Sequence, residues 1–340
     1  MAAGEPWTIK RILDWTSGYL ERKGDEHPRL SAEWLLANVT GLSRVELYVN
    51  FDEPLEASEL AAMHAAIERR AAGEPLQYVT GEMPFRHIVL KCEEGVLIPR
   101  PETEVLVDAA LEGVDAALAR RGGKAGERDV PSDAVSERGA GSADAGEKGT
   151  DQEASGEGEG PDAPGPVRVL EVGTGTGCIA LSIASERPGT RVTATDLSPR
   201  AIELATRNRE ALGLGDAVDI VECDLASGVA PELMGSFSVL VSNPPYIPTA
   251  VLQSEVPAEV RDHEPGLALD GGADGLDVFR RLLELAPRTL APGGMLAVEL
   301  FEESLSEAAE LTRAQGGWAL VEVREDLTHR PRVLVAVREG

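Results

Sequence analysis

Basic residues are scarce in this chain of 340: 32 lysines and arginines stand against 59 acids, a formal charge of −27. A protein that grips nucleic acid through its phosphates needs clustered cations, because counterion release supplies most of the non-specific affinity. The densest basic spots are the pairs Arg69-Arg70, Arg120-Arg121 and Arg280-Arg281, each read as a solvated helix face or end. That balance speaks against bare DNA or RNA as a partner and favours a basic protein. Cysteine is sparse too. Cys92, Cys178 and Cys223 are odd in number, far apart and without CxxC spacing, which argues against a disulfide framework or a zinc site and suits a reducing cytoplasm. No stretch approaches the roughly 18 apolar residues of a membrane helix. Met1–Lys10 lacks the apolar segment behind a basic start that marks a secretory signal. Aromatics are 4% of the chain, few for an enzyme that must hold a flipped base.

What is present suffices for a core: 42% of residues are hydrophobic, and the length leads us to expect two domains. Up to about Gly81 the pattern is helical. Thr8 is expected to cap a helix carrying Ile9, Ile12, Leu13 and Leu20 on one side. Ser31 precedes Trp34, Leu35 and Leu36 in a run ended by Gly41, and Ser58 precedes Leu60, Met63 and Ile67 in a run followed by Gly73. Residues 1–82 thus form a small helical domain, expected to recognise a partner rather than to catalyse. A β-prone stretch, Phe85–Leu97, makes 83–98 a hairpin-like linker. Two prolines then fix an extended approach to an amphipathic helix over Glu102–Ala119. Residues 121–166 differ in kind: Gly, Ala, Ser, Asp and Glu dominate, and eleven acids stand against five bases from 121 to 165. Such a segment cannot bury enough apolar area to offset its ordering entropy and reads as a disordered insertion.

From Val167 onward strands alternate with helices. Strands are expected at Val167–Leu170, Arg191–Thr195, Ala217–Glu222, Phe237–Val241 and, after a Pro-Gly-Gly turn, Met295–Leu300. Helices are expected at Cys178–Glu186, at Pro199–Leu212 with Ser198 as cap, at Leu276–Leu290 and at Ser304–Gln315. This alternation implies an α/β fold: a mostly parallel sheet with helices on both faces. Trp318–Glu325 and Arg332–Arg338 have no helix between them and are expected to close the sheet as an antiparallel edge pair.

Four motifs carry chemistry. Glu171-Val172-Gly173-Thr174-Gly175-Thr176-Gly177 lies between a strand and a helix, where glycines let the backbone pass close to a ligand. Its spacing is GxGxG. The third glycine of a dinucleotide-type GxGxxG would fall at Cys178, which lowers the odds of a nicotinamide cofactor. Asp196, at the end of the next strand, can accept hydrogen bonds from both ribose hydroxyls of a nucleoside, or can simply form the turn before Ser198-Pro199. Asp224, at the end of the third strand, can accept from an adenine amine while Leu225 covers the ring. Finally, Asn243-Pro244-Pro245-Tyr246 follows an apolar strand, and its prolines forbid helix and ladder pairing. The Asn243 side-chain oxygen and the Pro244 carbonyl can together accept both hydrogens of an NH2 group, with Tyr246 stacking on its flat π-system or shaping the pocket. An amide or aniline nitrogen is a poor nucleophile, so orienting its lone pair at a methyl sulfonium is mostly positioning. His87, His263 and His329 are isolated in the sequence, and no His/Cys/carboxylate ligand cluster suggests a metal.

With these residues in hand, the chain resembles the release-factor glutamine methyltransferases. The similarity rests on LIPRPETE (Leu97–Glu104), LEVGTGTGCIAL (Leu170–Leu181), the Asp196 strand end, VSNPPYI (Val241–Ile247) and the closing Glu325-Asp326-Leu327 with Arg330 and Arg332. It spans nearly the whole chain apart from 121–166, and LIPRPETE followed by NPPY is its specific signature. The resemblance implies a Rossmann-like class I methyltransferase fold with a seven-stranded sheet over 99–340. It implies S-adenosylmethionine bound by Gly173–Gly177 and Asp196, with Asp224 and Leu225 flanking the adenine. Asn243–Tyr246 would hold the substrate glutamine of a Gly-Gly-Gln loop in a peptide chain release factor, and Arg100–Glu104 would line the site. A ribosomal protein is the alternative acceptor within the same chemistry; a DNA or RNA amino group, or cofactor binding without catalysis, are the others. Two departures from the family stand out: the insertion is long, and Leu300-Phe301 stands where a glycine-containing turn is expected.

Overall fold

The computed structural model describes residues 6–126 and 165–340. Helix α1 (Ile9–Arg22) is capped as expected, the Thr8 hydroxyl accepting from the Arg11 N–H at 3.4 Å. Helix α2 (Pro28–Thr40) starts earlier than Ser31, because Pro28 already has the φ of a first helical residue and its missing N–H costs nothing there. Ser31 is instead buried inside α2 and donates to the Asp25 carboxylate at 2.7 Å. Gly41 ends α2 in the left-handed conformation. In α4 (Ala57–Ala71) the cap falls to Glu56, in a reciprocal box with Glu59, rather than to Ser58. Two short helices, α3 (Arg44–Val49) and α5 (Leu76–Thr80), complete the bundle. Its core centres on Leu13, Leu20, Leu36, Leu47 and Met63, all fully buried.

Of the Arg69-Arg70 pair at the end of α4, Arg69 stays half-exposed and bound to Glu74, whereas Arg70 is withdrawn from solvent. Arg70 is 11% exposed and binds Asp25 at 2.8 Å and Glu259 at 3.0 Å, joining the bundle to the segment beyond the sheet. Burial pushes the Asp25 carboxyl up, yet Arg70, the Ser31 hydroxyl and the His27 N–H together hold it below its ordinary range.

Strands β1 (Glu82–Phe85) and β2 (Ile88–Lys91) form an antiparallel hairpin; Cys92–Leu97 continues as coil rather than strand. Arg86 at its turn has φ 49 and is pinned to Glu186 at 2.6 Å and Asp108 at 2.8 Å. Helix α6 (Thr103–Gly126) continues through residues 121–126, which the composition assigned to the insertion. Its apolar face (Leu106, Ala110, Val114, Ala117) is buried against the sheet, and adding turns to an anchored helix is easier than starting one. Arg121, from its last turns, donates to the Gly165 carbonyl. The disorder expected of the insertion concerns 127–164, which lie outside the described residues.

The sheet then builds in sequence: β3 (Arg168–Val172), α7 (Cys178–Glu186), β4 (Arg191–Asp196), α8 (Pro199–Ala211), β5 (Val218–Glu222), β6 (Phe237–Ser242), α9 (Thr249–Ser254), α10 (Ala258–His263), α11 (Gly266–Leu269), α12 (Asp277–Thr289), β7 (Leu290–Glu299), α13 (Leu305–Gln315), β8 (Trp318–Glu325) and β9 (Pro331–Arg338). Strand order is β5-β4-β3-β6-β7-β9-β8, with β9 antiparallel to both β7 and β8. Alternation along each strand feeds two cores. Val169, Val239, Val241, Ala297 and Val335 pack under α6 and α7, while Leu170, Leu240, Leu296, Val298 and Leu334 pack under α12 and α13. Pro292-Gly293-Gly294 is not a turn before the strand. It lies within β7, where the register shifts opposite Phe237–Val239, so a bulge absorbs it. After Glu299 the chain turns without glycine: the Leu300 N–H donates to Arg332 O at 3.1 Å and the Ser304 N–H to Phe301 O at 3.0 Å.

Removing Arg70 should strand Asp25 as an uncompensated buried charge. Arg70→Ala is expected to cost about 3–5 kcal/mol in urea unfolding, and Asp25→Asn in the same chain to recover part of it. A single-mutant cost below about 1 kcal/mol, the level of an exposed pair, would refute a structural role for the pair.

Candidate functional site

Parallel pairing of β3 with β4 and with β6 brings three strand ends to one level, the place where doubly wound sheets bind ligands. At that level lies a cleft of about 230 Å³. Gly173 and Gly175 form part of its wall, with φ of 78 and 55. A Cβ on either would meet nothing nearer than 3.8 Å and would project into space that must stay open for a ligand. Thr174, Thr176 and Gly177 do not reach the wall. Thr174 is buried and donates to the Glu171 carboxyl at 2.7 Å, and Gly177 caps α7. The Thr176 carbonyl accepts from Asn208, whose amide also exchanges hydrogen bonds with the Lys91 backbone at 2.8 and 3.2 Å, clamping loop, hairpin and α8 together.

Asp196 stands in the cleft wall. One oxygen accepts from the Gly175 N–H at 2.9 Å and the other from the Ser198 N–H at 2.8 Å, so the turn-forming role is present alongside exposure to the cleft. Burial raises its pKa, against the pull of those backbone donors. Asp224 and Leu225 line the same wall, Leu225 at φ 51 and fixed by the Thr195 hydroxyl, which donates to its carbonyl at 2.7 Å. Asp224 is bound by Arg281 at 2.6 Å, and Arg281 lines the cleft from an exposed position on α12.

Asn243 and Pro245 complete the wall; Pro244 and Tyr246 are not among the residues that line it. Ser242, fully buried, fixes the start of the tetrapeptide by donating to Val172 O at 2.7 Å. The far end is held by glycines. A Cβ on Gly275 would sit 2.3 Å from Tyr246 O, and one on Gly271 2.7 Å from Tyr246 Cα, so this turn can approach only without side chains. Asn243 Nδ2 donates to the Thr103 hydroxyl at 3.0 Å, and the Tyr246 hydroxyl to Glu299 at 3.1 Å. Within LIPRPETE, then, Leu97 lines the cleft and Thr103 reaches the site through Asn243. Arg100 binds the buried Glu264 at 2.5 Å, and Glu104 faces the Arg86 backbone N–H at 3.3 Å.

Several of these residues were not singled out from sequence: Glu171, Asn208, Glu264 and Glu299; Arg281 was noted only as half of a basic pair. The first was quoted inside the glycine motif, and the others lack a local pattern. Burial pushes Glu171 up to about 8, against hydrogen bonds from Thr174 and the Ala180 N–H. Burial likewise raises Glu264 and Glu299.

A family model for the PrmC N-terminal domain matches residues 11–81, and one for the methyltransferase small domain matches 163–260. The chain is 42% identical to a release factor glutamine methyltransferase of Geobacter sulfurreducens, over 87% of this chain and 85% of that protein. It is 38% identical to one of Deinococcus radiodurans, over 98% and 99%. The chain belongs to the release factor glutamine methyltransferases. Among solved structures, the E. cuniculi Mtq2–Trm112 complex is 20% identical over 72% of this chain and 99% of that chain, with a TM-score of 0.39. As a release factor glutamine methyltransferase the chain is a protein-glutamine methyltransferase that uses S-adenosylmethionine. The cleft fits that molecule. Its glycines leave the floor open and Asp196 offers a carboxylate to vicinal hydroxyls. Val96, Leu197 and Leu225 offer apolar walls to a flat base. Among the described residues, no helix is long and apolar enough to cross a membrane.

The buried carboxyls make stability depend on pH. A folded pKa above the unfolded one means that the native state keeps a proton which the unfolded chain has lost. For Glu171 that window runs from its ordinary 4.5 to about 8, and across it stability falls as pH rises. The melting temperature is therefore expected to drop between pH 5.5 and 8.5, less steeply in Glu171→Gln. A melting temperature that rises through this window, or an unchanged slope in the variant, would contradict the assignment.

Proposed function

We propose that this enzyme transfers the methyl group of S-adenosylmethionine to the side-chain amide nitrogen of the glutamine in the Gly-Gly-Gln loop of peptide chain release factors, in the cytoplasm. The observation that carries the reading is Asn243 in the cleft wall, its backbone oxygen 3.8 Å from where a Cβ on Gly173 would lie. Acceptor clamp and cofactor loop thus share one space. The names of the relatives support release factors as the acceptor.

Bound S-adenosylmethionine supplies an electrophilic methyl group on a sulfonium. The chain's own part is to hold both partners. Gly173 and Gly175 approach the cofactor through backbone, with Thr174, Thr176 and Gly177 shaping the loop behind them, Asp196 accepts from its ribose hydroxyls, and Asp224 with Leu225 flanks its adenine. The Asn243 side-chain oxygen and the Pro244 carbonyl accept the two hydrogens of the glutamine amide, fixing its plane so that the nitrogen faces the methyl. Pro245 and Tyr246 keep the tetrapeptide extended.

The domain roles follow. Residues 99–340 form the transferase domain and 83–98 link it to the helical residues 1–82, which recognise the release factor. Exposed apolar side chains on that helical part, Trp15, Val45, Tyr48 and Val49, support a protein-binding surface. The net charge of −27 favours a protein over nucleic acid.

Labelled S-adenosylmethionine should methylate a purified release factor and leave unlabelled the same factor with its Gly-Gly-Gln glutamine changed to alanine. Label on both would move the acceptor elsewhere in the factor; label on neither would turn the reading toward ribosomal proteins. Separately, Asn243→Ala should cut turnover by roughly 10²- to 10³-fold, the scale of one preorganised polar contact, while cofactor affinity stays within a few-fold. Turnover near wild type would remove Asn243 from the acceptor clamp.

A further inference from the structure

A carboxylate can accept from an amine only while it points at it, and a short exposed side chain is free to turn into water instead. The backbone around Asp224 is well tied. The Cys223 N–H donates to Asp196 O at 2.9 Å, the Ser227 N–H to Asp224 O at 3.0 Å, and the Thr195 hydroxyl to Leu225 O at 2.7 Å. None of these bonds touches the Asp224 carboxylate, which is half-exposed at the wall of the cleft.

One contact from another element fixes it. Arg281 Nη2 donates to Asp224 Oδ2 at 2.6 Å across 57 positions of chain. Arg281 follows Val278 by three residues on α12, and both line the cleft from that face of the helix. Its neighbour Arg280 is engaged elsewhere, with Asp274 at 2.5 Å and Glu307 at 3.6 Å. Helix α12 is itself anchored, with Phe279, Leu282 and Leu283 buried against the sheet. Only one carboxylate oxygen is taken: among the described residues, Asp224 Oδ1 has no partner. An ion pair this exposed adds little to stability, so its effect is local.

We infer that Arg281 is a positioning residue for recognition of the adenine of S-adenosylmethionine. It occupies Oδ2, keeps the carboxylate turned along the cleft wall and leaves Oδ1 to accept from the exocyclic amine. That task rests on the reading of Asp224 as the residue beside the adenine. Without Arg281 the carboxylate swings out to water, and the base loses its acceptor but keeps its apolar walls. Arg281 thereby sets how strongly the cleft prefers a base that bears the amine.

Two ligands read this preference directly: S-adenosylhomocysteine, and the same compound with hydrogen in place of the 6-amino group. By calorimetry the wild type should bind the first at least about 10-fold more tightly, the worth of a hydrogen bond to a charged group. Arg281→Met keeps the length and removes the cation. It should weaken S-adenosylhomocysteine about 10-fold and leave the deamino compound within about two-fold, on the same scale. Arg281→Lys should keep most of the preference, because an ammonium has a single Nη2 contact to replace. In an Asp224→Ala background, Arg281→Met should change neither Kd further.

Equal weakening of both ligands in Arg281→Met would reduce Arg281 to a piece of wall and overturn the inference. So would an undiminished preference, a preference lost in Arg281→Lys, or a further loss in the double variant. A wild type that binds the two ligands alike would overturn the reading of Asp224 and the task of Arg281 with it. Neither ligand donates a methyl group and no acceptor is needed, so the outcome is independent of whether release factors are methylated.

Discussion

Parallel pairing of β3 with β4 on one side and β6 on the other is the constraint from which the site follows. Chain direction obliges all three strands to end on the same edge, and each end delivers a different group: the glycine loop after β3, Asp196 from β4, Asn243 after β6. Covalent continuity does the positioning, because a strand paired along its length cannot let its last residue wander. The helices serve the same end. Helices α6 and α7 seal one face and α12 and α13 the other, and α6 begins at Thr103, so its first residue is also part of the site.

That economy has an electrostatic cost. Glu171, Asp196, Glu264 and Glu299 are all drawn from water near the strand ends, and burial raises the pKa of each. A hydrophobic residue in any of these places would pack more comfortably. Their retention makes sense only through hydrogen bonds that fix loops: Glu171 holds Thr174 and the start of α7, Glu264 holds Arg100, and Glu299 holds Tyr246. Rigidity of the site is gained at the expense of stability, the usual relation where geometry matters more than packing.

Much of this was legible before any coordinates. Alternating Val and Leu marked the strands, and Ser198-Pro199 marked a helix start that the Ala201 N–H confirms by donating to the Ser198 hydroxyl at 3.4 Å. The glycine motif, Asp196 and the Asn-Pro-Pro-Tyr run stood out because each has a fixed local spacing. What stayed hidden has no such spacing. Helices α3, α5, α9, α10 and α11 have four to six residues, fewer than two turns, so no periodicity can develop. Ser31 and Ser58 were plausible caps displaced by Pro28 and by the Glu56–Glu59 box. The partners that orient the site are far apart in the chain, Thr103 from Asn243 by 140 positions and Tyr246 from Glu299 by 53. Pairings of that range leave no trace in a single sequence, and Glu299 looks there like a stray acid at the end of an apolar strand.

The contact between Arg121 and the Gly165 carbonyl has a consequence for how such a chain can change. Arg121 in the last turns of α6 and Gly165 thus meet beside the start of β3, while the cleft sits at the opposite ends of the strands. Closing a longer excursion between fixed ends costs little, about 0.6 kcal/mol for each doubling of length. Two points of the chain held this close, far from the cleft, can be joined by a longer or shorter connection at little cost, so length can drift between them without the strand ends being disturbed.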